Sequence, residues 1–233
     1  MSWTYEITLR GAPDRAASLQ KWLGATQDVF AVLPGLACLD LYTPAGEGTA
    51  TDPYNDDGAG PLMMVMLDFA TRDALAAAVA SDGIRVAAET IAPDITATGA
   101  AFERRFYPVG GDLSPAPLQA PFSYVVRYHR PADDEAAFVR NYLATHPATE
   151  AKLPGIRNVI CYLPWDDVCA GAAVHLPSVA YMIGNEVVFD DLGAFNAAMA
   201  SAVRQELRAH YRAFPRFTGL NTHHPAIRRR LVG

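Results

Sequence analysis

The chain has 233 residues, a formal charge of −6 and a pI near 5.4; 51% of its residues are hydrophobic and 19% are charged. That composition supports a globular core, and the negative balance argues against a phosphate-binding face for nucleic acid and against a polybasic membrane surface. No stretch approaches the roughly 20 apolar residues of a membrane-spanning helix.

The first predicted element is a strand, in which Trp3, Tyr5, Ile7 and Leu9 alternate with Thr4, Glu6, Thr8 and Arg10. The opening residues lack the basic and apolar regions of a signal peptide. After the turn Gly11-Ala12-Pro13-Asp14, Asp14 suits a helix start, where its carboxylate would take free backbone N–H groups. Leu19, Trp22, Leu23, Phe30 and Leu33 then fall at helical spacing, and Pro34-Gly35 ends the helix. A strand over Leu36 to Tyr42, a polar loop over 45–60, a strand over Leu62 to Phe69, an alanine-rich helix starting near Thr71 and a strand over Ala101 to Tyr107 follow. Gly110-Gly111 and the prolines at 115 and 117 mark a linker, placed at 111–121, between domains 1–110 and 122–233.

The second half repeats the first. A strand over Ser123 to His129 leads through Pro131-Ala132-Asp133-Asp134 into a helix carrying Phe138, Tyr142 and Leu143, then Leu153. Pro147 predicts a kink or break just after His146, because proline removes a helical hydrogen bond. Strands over Ile156 to Leu163 and Val179 to Phe189 flank a loop with Trp165 and His175; a helix begins near Asp191, and a last strand is expected over Phe217 to Thr222. Arg228-Arg229-Arg230 reads as a solvated tail. A shift of 120 residues lays Leu33-Pro34-Gly35 on Leu153-Pro154-Gly155. It also lays Arg10 on Arg130, Asp14 on Asp134, Tyr42 on Tyr162 and Phe69 on Phe189. The expected fold is therefore α+β: two tandem ferredoxin-like β-α-β-β-α-β repeats with antiparallel sheets, helices on one face of each. The bare sheet faces must be covered, either within one chain or by pairing of chains as a homodimer.

His129-Arg130-Pro131, Phe138, Thr145-His146-Pro147 and Lys152-Leu153-Pro154-Gly155 together resemble the EthD-like family of the dimeric α/β-barrel superfamily. The resemblance covers the first half of the second copy well; the first copy keeps Leu-Pro-Gly but has Thr26 where the second has His146. It implies a barrel of two facing sheets, each repeat enclosing a small apolar pocket. Cofactor-free monooxygenases, polyketide cyclases, isomerases and haem enzymes share that superfamily, so the fold names no reaction.

Two catalytic candidates emerge. His146 titrates near neutrality and stands where the family pattern puts a histidine beside the pocket; a histidine tied at a helix bend would look the same. Glu186 replaces Met66 of the first copy within an apolar strand, on the face away from Phe189, with Gly184 leaving room beside it. A salt bridge to Arg127 or Arg130 is the plainer role for such a carboxylate. If His146 and Glu186 shared one pocket they would make an acid–base pair. Tyr128, Asn158, Tyr162 and Asn185, together with Tyr42, could orient a substrate through hydroxyl and amide groups.

His223 and His224 are adjacent on a strand and point to opposite faces, so they cannot chelate together; His210 could in principle meet haem iron. Cys38, Cys161 and Cys169 form no CxxC pair, which predicts reduced thiols, no metal site and a cytoplasmic protein. The expectation is a cofactor-free protein with a small apolar molecule as its partner, and no nucleic acid or membrane. It would be an enzyme of isomerase, cyclase or monooxygenase type, or a non-catalytic binder, or a haem protein.

Overall fold

The computed structural model describes residues 2–46, 50–54, 57–111, 118, 120–169 and 175–233. The first repeat comprises β1 (Ser2–Arg10), α1 (Ala16–Ala31), β2 (Leu36–Pro44), β3 (Met63–Phe69), α2 (Arg72–Val79), α3 (Asp82–Glu89) and β4 (Thr96–Tyr107). The second comprises β5 (Phe122–His129), α4 (Glu135–Glu150), β6 (Ile156–Pro164), α5 (Asp166–Cys169), β7 (Tyr181–Phe189), α6 (Leu192–Met199), α7 (Ala202–Ala213) and β8 (Asn221–Val232). Much of the expected linker, residues 112–117 and 119, lies outside the described residues.

The strands close into one barrel in the order β1-β3-β2-β8-β5-β7-β6-β4, with every neighbouring pair antiparallel. Each repeat supplies four adjacent strands. The seams are β2 with β8 and β4 with β6, so the two repeats pair within one chain and leave no open sheet edge. Alternation then sorts the side chains. Tyr5, Ile7, Leu9, Val65 and Leu67 pack under α1, α2 and α3. Tyr124, Val126, Tyr128, Val159 and Val187 pack under the helices of the second repeat. Met64, Met66, Phe102, Val125, Ile160 and Tyr162 form a third cluster inside the barrel.

The repeat is visible in its turns. Leu36 N–H donates to the Leu33 carbonyl at 3.1 Å and Ile156 N–H to the Leu153 carbonyl at 3.3 Å. Between them Gly35 and Gly155 take φ of +75° and +72°, which a side chain would resist. Thr71, Asp134 and Asp191 each accept a backbone N–H at a helix start.

Several expectations need correction. Asp14 lies inside a single 3-10 turn, Pro13–Arg15, and caps nothing. The shift between first strands is 119 rather than 120, because Trp3 pairs with Phe69 whereas Phe122 pairs with Phe189. The helix α4 runs through Pro147 without breaking, and the Ala151 N–H donates to the Pro147 carbonyl at 3.0 Å. The last strand is Asn221–Val232, displaced because α7 is four residues longer than α3, at 12 against 8. The run Arg228 to Arg230 is accordingly part of β8: Arg228 and Arg230 bond Asp40 at 3.3 and 2.9 Å across the seam.

The barrel interior is polar as well as packed. Arg127, 1% exposed, donates from Nε (3.1 Å) and Nη2 (2.5 Å) to Glu6 of the opposite repeat, and from Nη1 to the carbonyls of Val126 and Asn185. Gly184 makes room for this guanidinium rather than for a ligand at Glu186: a Cβ there would lie 2.7 Å from Arg127 Nη1.

Candidate active site

Three of the residues singled out by sequence, Glu186, Tyr162 and Tyr42, sit together inside the barrel. The Glu186 carboxylate accepts from Ser123 Oγ at 2.6 Å, Tyr162 Oη at 2.5 Å and Tyr42 Oη at 3.1 Å. It is fully buried and lines none of the described cavities. Its partners are hydroxyls, not Arg127 or Arg130. Asn158, also buried, is on β6 opposite Val188.

His146, Asn185 and Tyr128 lie on the other side of the same sheet. They line a chamber of about 50 Å³ between the second repeat's sheet and its helices α4 and α7. His146 and Glu186 therefore occupy opposite faces, and the expected acid–base pair between them does not form. The reason is the period of two: Asn185 points to the helices, so its neighbour Glu186 points into the barrel.

The chamber brings His146 a different partner. Because α4 continues past Pro147, Glu150 stands one turn on, with its Oε1 3.7 Å from His146 Nε2. Asn185 on β7 donates its amide to Glu150. Both side chains are under a tenth exposed, and His146 Nδ1 and Asn185 Oδ1 have no hydrogen-bond partner among the described residues. Tyr142 and Phe214 pack against the His146 ring at a tilt, with centroids 4.5 and 5.9 Å away.

Burial moves the two groups in opposite directions. It pushes the Glu150 carboxyl up to about 8, against the pull of Arg204 and Asn185. It pushes the His146 imidazole down to about 3, helped by the neighbouring His210 and Arg204. Near pH 7 the site holds an uncharged carboxylic acid beside an uncharged imidazole, one a proton donor and the other an acceptor. The signal for Glu150 was present in the sequence as a histidine and a glutamate four residues apart.

The first repeat closes this chamber. Its β2–β3 loop brings Asp52 onto Arg204 of α7 at 2.7 and 3.2 Å and onto Tyr124 Oη at 2.8 Å. Tyr54 lays its ring on the guanidinium groups of Arg204 and Arg208, at 4.9 and 5.2 Å, and Thr51 N–H donates to Asn196.

A wider cleft of about 590 Å³ opens at the barrel mouth, lined by Tyr42, Met64, Asp57, His223 and His224. The two histidines do face apart: His223 bonds Asp57 at 2.8 Å and stacks on Tyr124, whereas His224 meets Arg10 at 3.3 Å. Tyr42 and His223 are engaged, with Glu186 and Asp57, whereas His224 Nδ1 is buried without a hydrogen-bond partner among the described residues. At the other barrel end Cys38, Asp40 and Asp68 are close enough to share a metal ion. Arg104, Arg228 and Arg230 already bond those carboxylates, and their positive charge opposes a cation.

Solved structures share this architecture. An anthrone oxidase-like protein superposes with a TM-score of 0.61 at 13% identity, over 98% of this chain and 92% of that one. The fold is the dimeric α/β barrel, built within one chain. A candidate monooxygenase from Lactobacillus acidophilus (TM-score 0.54, 11% identity, 97% and 93% coverage) and the chlorite dismutase from Candidatus Nitrospira defluvii (0.54, 11%, 97% and 90%) have it too. No family model and no curated protein matches the sequence. No helix among the described residues is long and apolar enough to cross a membrane.

Haem, which the resemblance allows, does not fit the site as built. A macrocycle needs a slot on the order of several hundred Å³, and the space around His146 is filled. Tyr128, Phe138, Tyr142, Phe214 and Phe217 pack there with ring centroids 5.2 to 6.4 Å apart. His210, partly exposed, faces Glu206 at 3.9 Å.

Proposed function

We propose that this chain is an EthD-like, cofactor-independent enzyme that moves a proton on a small, mainly apolar, oxygenated molecule, with its chemistry in the second repeat. The observation that carries this reading is the buried pair His146 and Glu150, held uncharged side by side on the wall of the chamber. The neutral imidazole takes the proton of an acidic C–H group as Glu150 gives up its own, so that the imidazolium forms beside a carboxylate 3.7 Å away and not alone in an apolar wall. The Glu150 carboxyl, fixed by Asn185, gives that proton to the substrate oxygen that gains charge. The aromatic walls exclude water and keep both groups uncharged. Isomerisation, cyclisation and oxygenation of an enolate all begin with this step. The likeness to an anthrone oxidase-like protein supports a ketone with an acidic C–H as the first probe.

The test is exchange of the acidic C–H of anthrone and smaller aryl ketones with deuterated solvent, followed by NMR. The wild-type protein should accelerate exchange. His146→Ala and Glu150→Gln should each lower that acceleration by about 100-fold, the lower range of general acid–base effects. Acceleration that survives His146→Ala would remove the chemistry from this chamber.

A further inference from the structure

The wall of the chamber carries more positive charge than it needs. Arg204 and Arg208 stand one turn apart on α7, and both line the chamber. Only one carboxylate, Asp52, bonds them among the described residues, and it takes Arg204 alone. Arg208 is partly buried between the rings of Tyr54 and Tyr211, and its Nε has no hydrogen-bond partner. The nearby acid, Glu150, is uncharged near pH 7 and does not offset the pair.

Asp52 is a visitor from the other repeat. Its side chain is 1% exposed and is held by Arg204, by the Tyr124 hydroxyl and by the Tyr54 backbone N–H at 3.1 Å. With this strap in place the chamber is too small for an aromatic ring and its substituents. The strap occupies the Arg204 side of the chamber, and the position a substrate would take over there is one built for a carboxylate. We propose that the substrate carries an acidic oxygen, a carboxylate or phenolate, which replaces Asp52 on Arg204 and also engages Arg208. Its apolar body then lies among Tyr54, Tyr128 and Tyr211 with the reacting end toward His146 and Glu150. Asp52 acts as an internal competitor that keeps the site closed until an anion arrives. This inference rests on the placement of the chemistry in the second repeat.

The probes are benzoate and its uncharged isostere benzamide, with binding measured by calorimetry. Wild-type protein should prefer benzoate. Asp52→Asn should tighten benzoate about tenfold, the scale of one charge-assisted hydrogen bond, and leave benzamide unchanged. Arg208→Met should abolish the preference, and Arg208→Lys should restore part of it. Equal affinity for the two probes in wild type and in Asp52→Asn would overturn the inference, as would benzoate binding that ignores Arg208→Met. The proton-transfer reading fails by a different sign. If the benzoate preference follows Arg208 while C–H exchange ignores His146, the anion site stands and the chemistry does not.

Discussion

Arg127→Met should destabilise the protein by about 3–5 kcal/mol, the cost of leaving a buried charge without its partner. The stranded group is Glu6, 2% exposed, which accepts from Arg127 Nη2 and Nε and from Thr8 Oγ1 at 3.1 Å. The two residues come from different repeats, so this pair crosses the barrel. Replacing both, as Glu6→Leu with Arg127→Met, should recover most of the loss, because a buried ion pair gains little over an apolar pair of similar volume. Urea unfolding of the four proteins gives the coupling energy directly. A double variant as unstable as the sum of the singles would mean that the pair is not coupled.

The second large effect is a dependence of stability on pH that belongs to Glu150. Its folded pKa, about 8, lies above the ordinary value of 4.5, so its stabilising contribution is complete below 4.5 and is lost as pH rises to about 8. His146 and His224 work in the opposite sense. Their folded values, about 3, lie below 6.5, so their contribution is complete above pH 6.5 and is lost as pH falls toward 3. Between pH 6.5 and 8, Glu150 is the shifted group that changes its charge in this way. Stability should fall there by about 1.4 kcal/mol per pH unit, or roughly 2 kcal/mol across the window. Glu150→Gln should flatten that limb and leave the acid limb in place. Denaturation at pH 6.5 and 8 checks it; an unchanged slope in the variant would show that Glu150 is ionised throughout. The same titration should lower C–H exchange above about pH 8.

Much of the fold was legible because a repeat constrains the chain twice. Leu33-Pro34-Gly35 and Leu153-Pro154-Gly155 fixed the register of helix against strand, and the turns they form are bonded alike. The one-residue difference between the first strands was hidden. Val125 and Val126 are both apolar, so alternation in β5 does not say which faces the barrel. The last strand was hidden by its composition, since arginines inside a barrel look like a solvated tail until Asp40 is placed opposite them.

The site was half legible. Alternation put Glu186 and Asn185 on opposite faces, and the structure agrees. What alternation could not tell was which face holds the chamber, and the barrel interior is sealed by hydroxyls around Glu186. Glu150 was lost to a single local expectation. A helix broken at Pro147 would not place His146 and Glu150 on one face, whereas the continuous helix does. Asp52 and Arg204 were out of reach for another reason: they are 152 residues apart and meet only through the closure of the barrel.

The most direct test of where the chemistry lies is a crystal structure of the protein with an aryl ketone bound. The ring should sit between the second repeat's sheet and the helices α4 and α7, with its oxygen in hydrogen-bond reach of Glu150 and with His146 beside it. A ring lodged in the barrel-mouth cleft against Tyr42 and His224, with the His146 chamber still closed by Asp52, would contradict it.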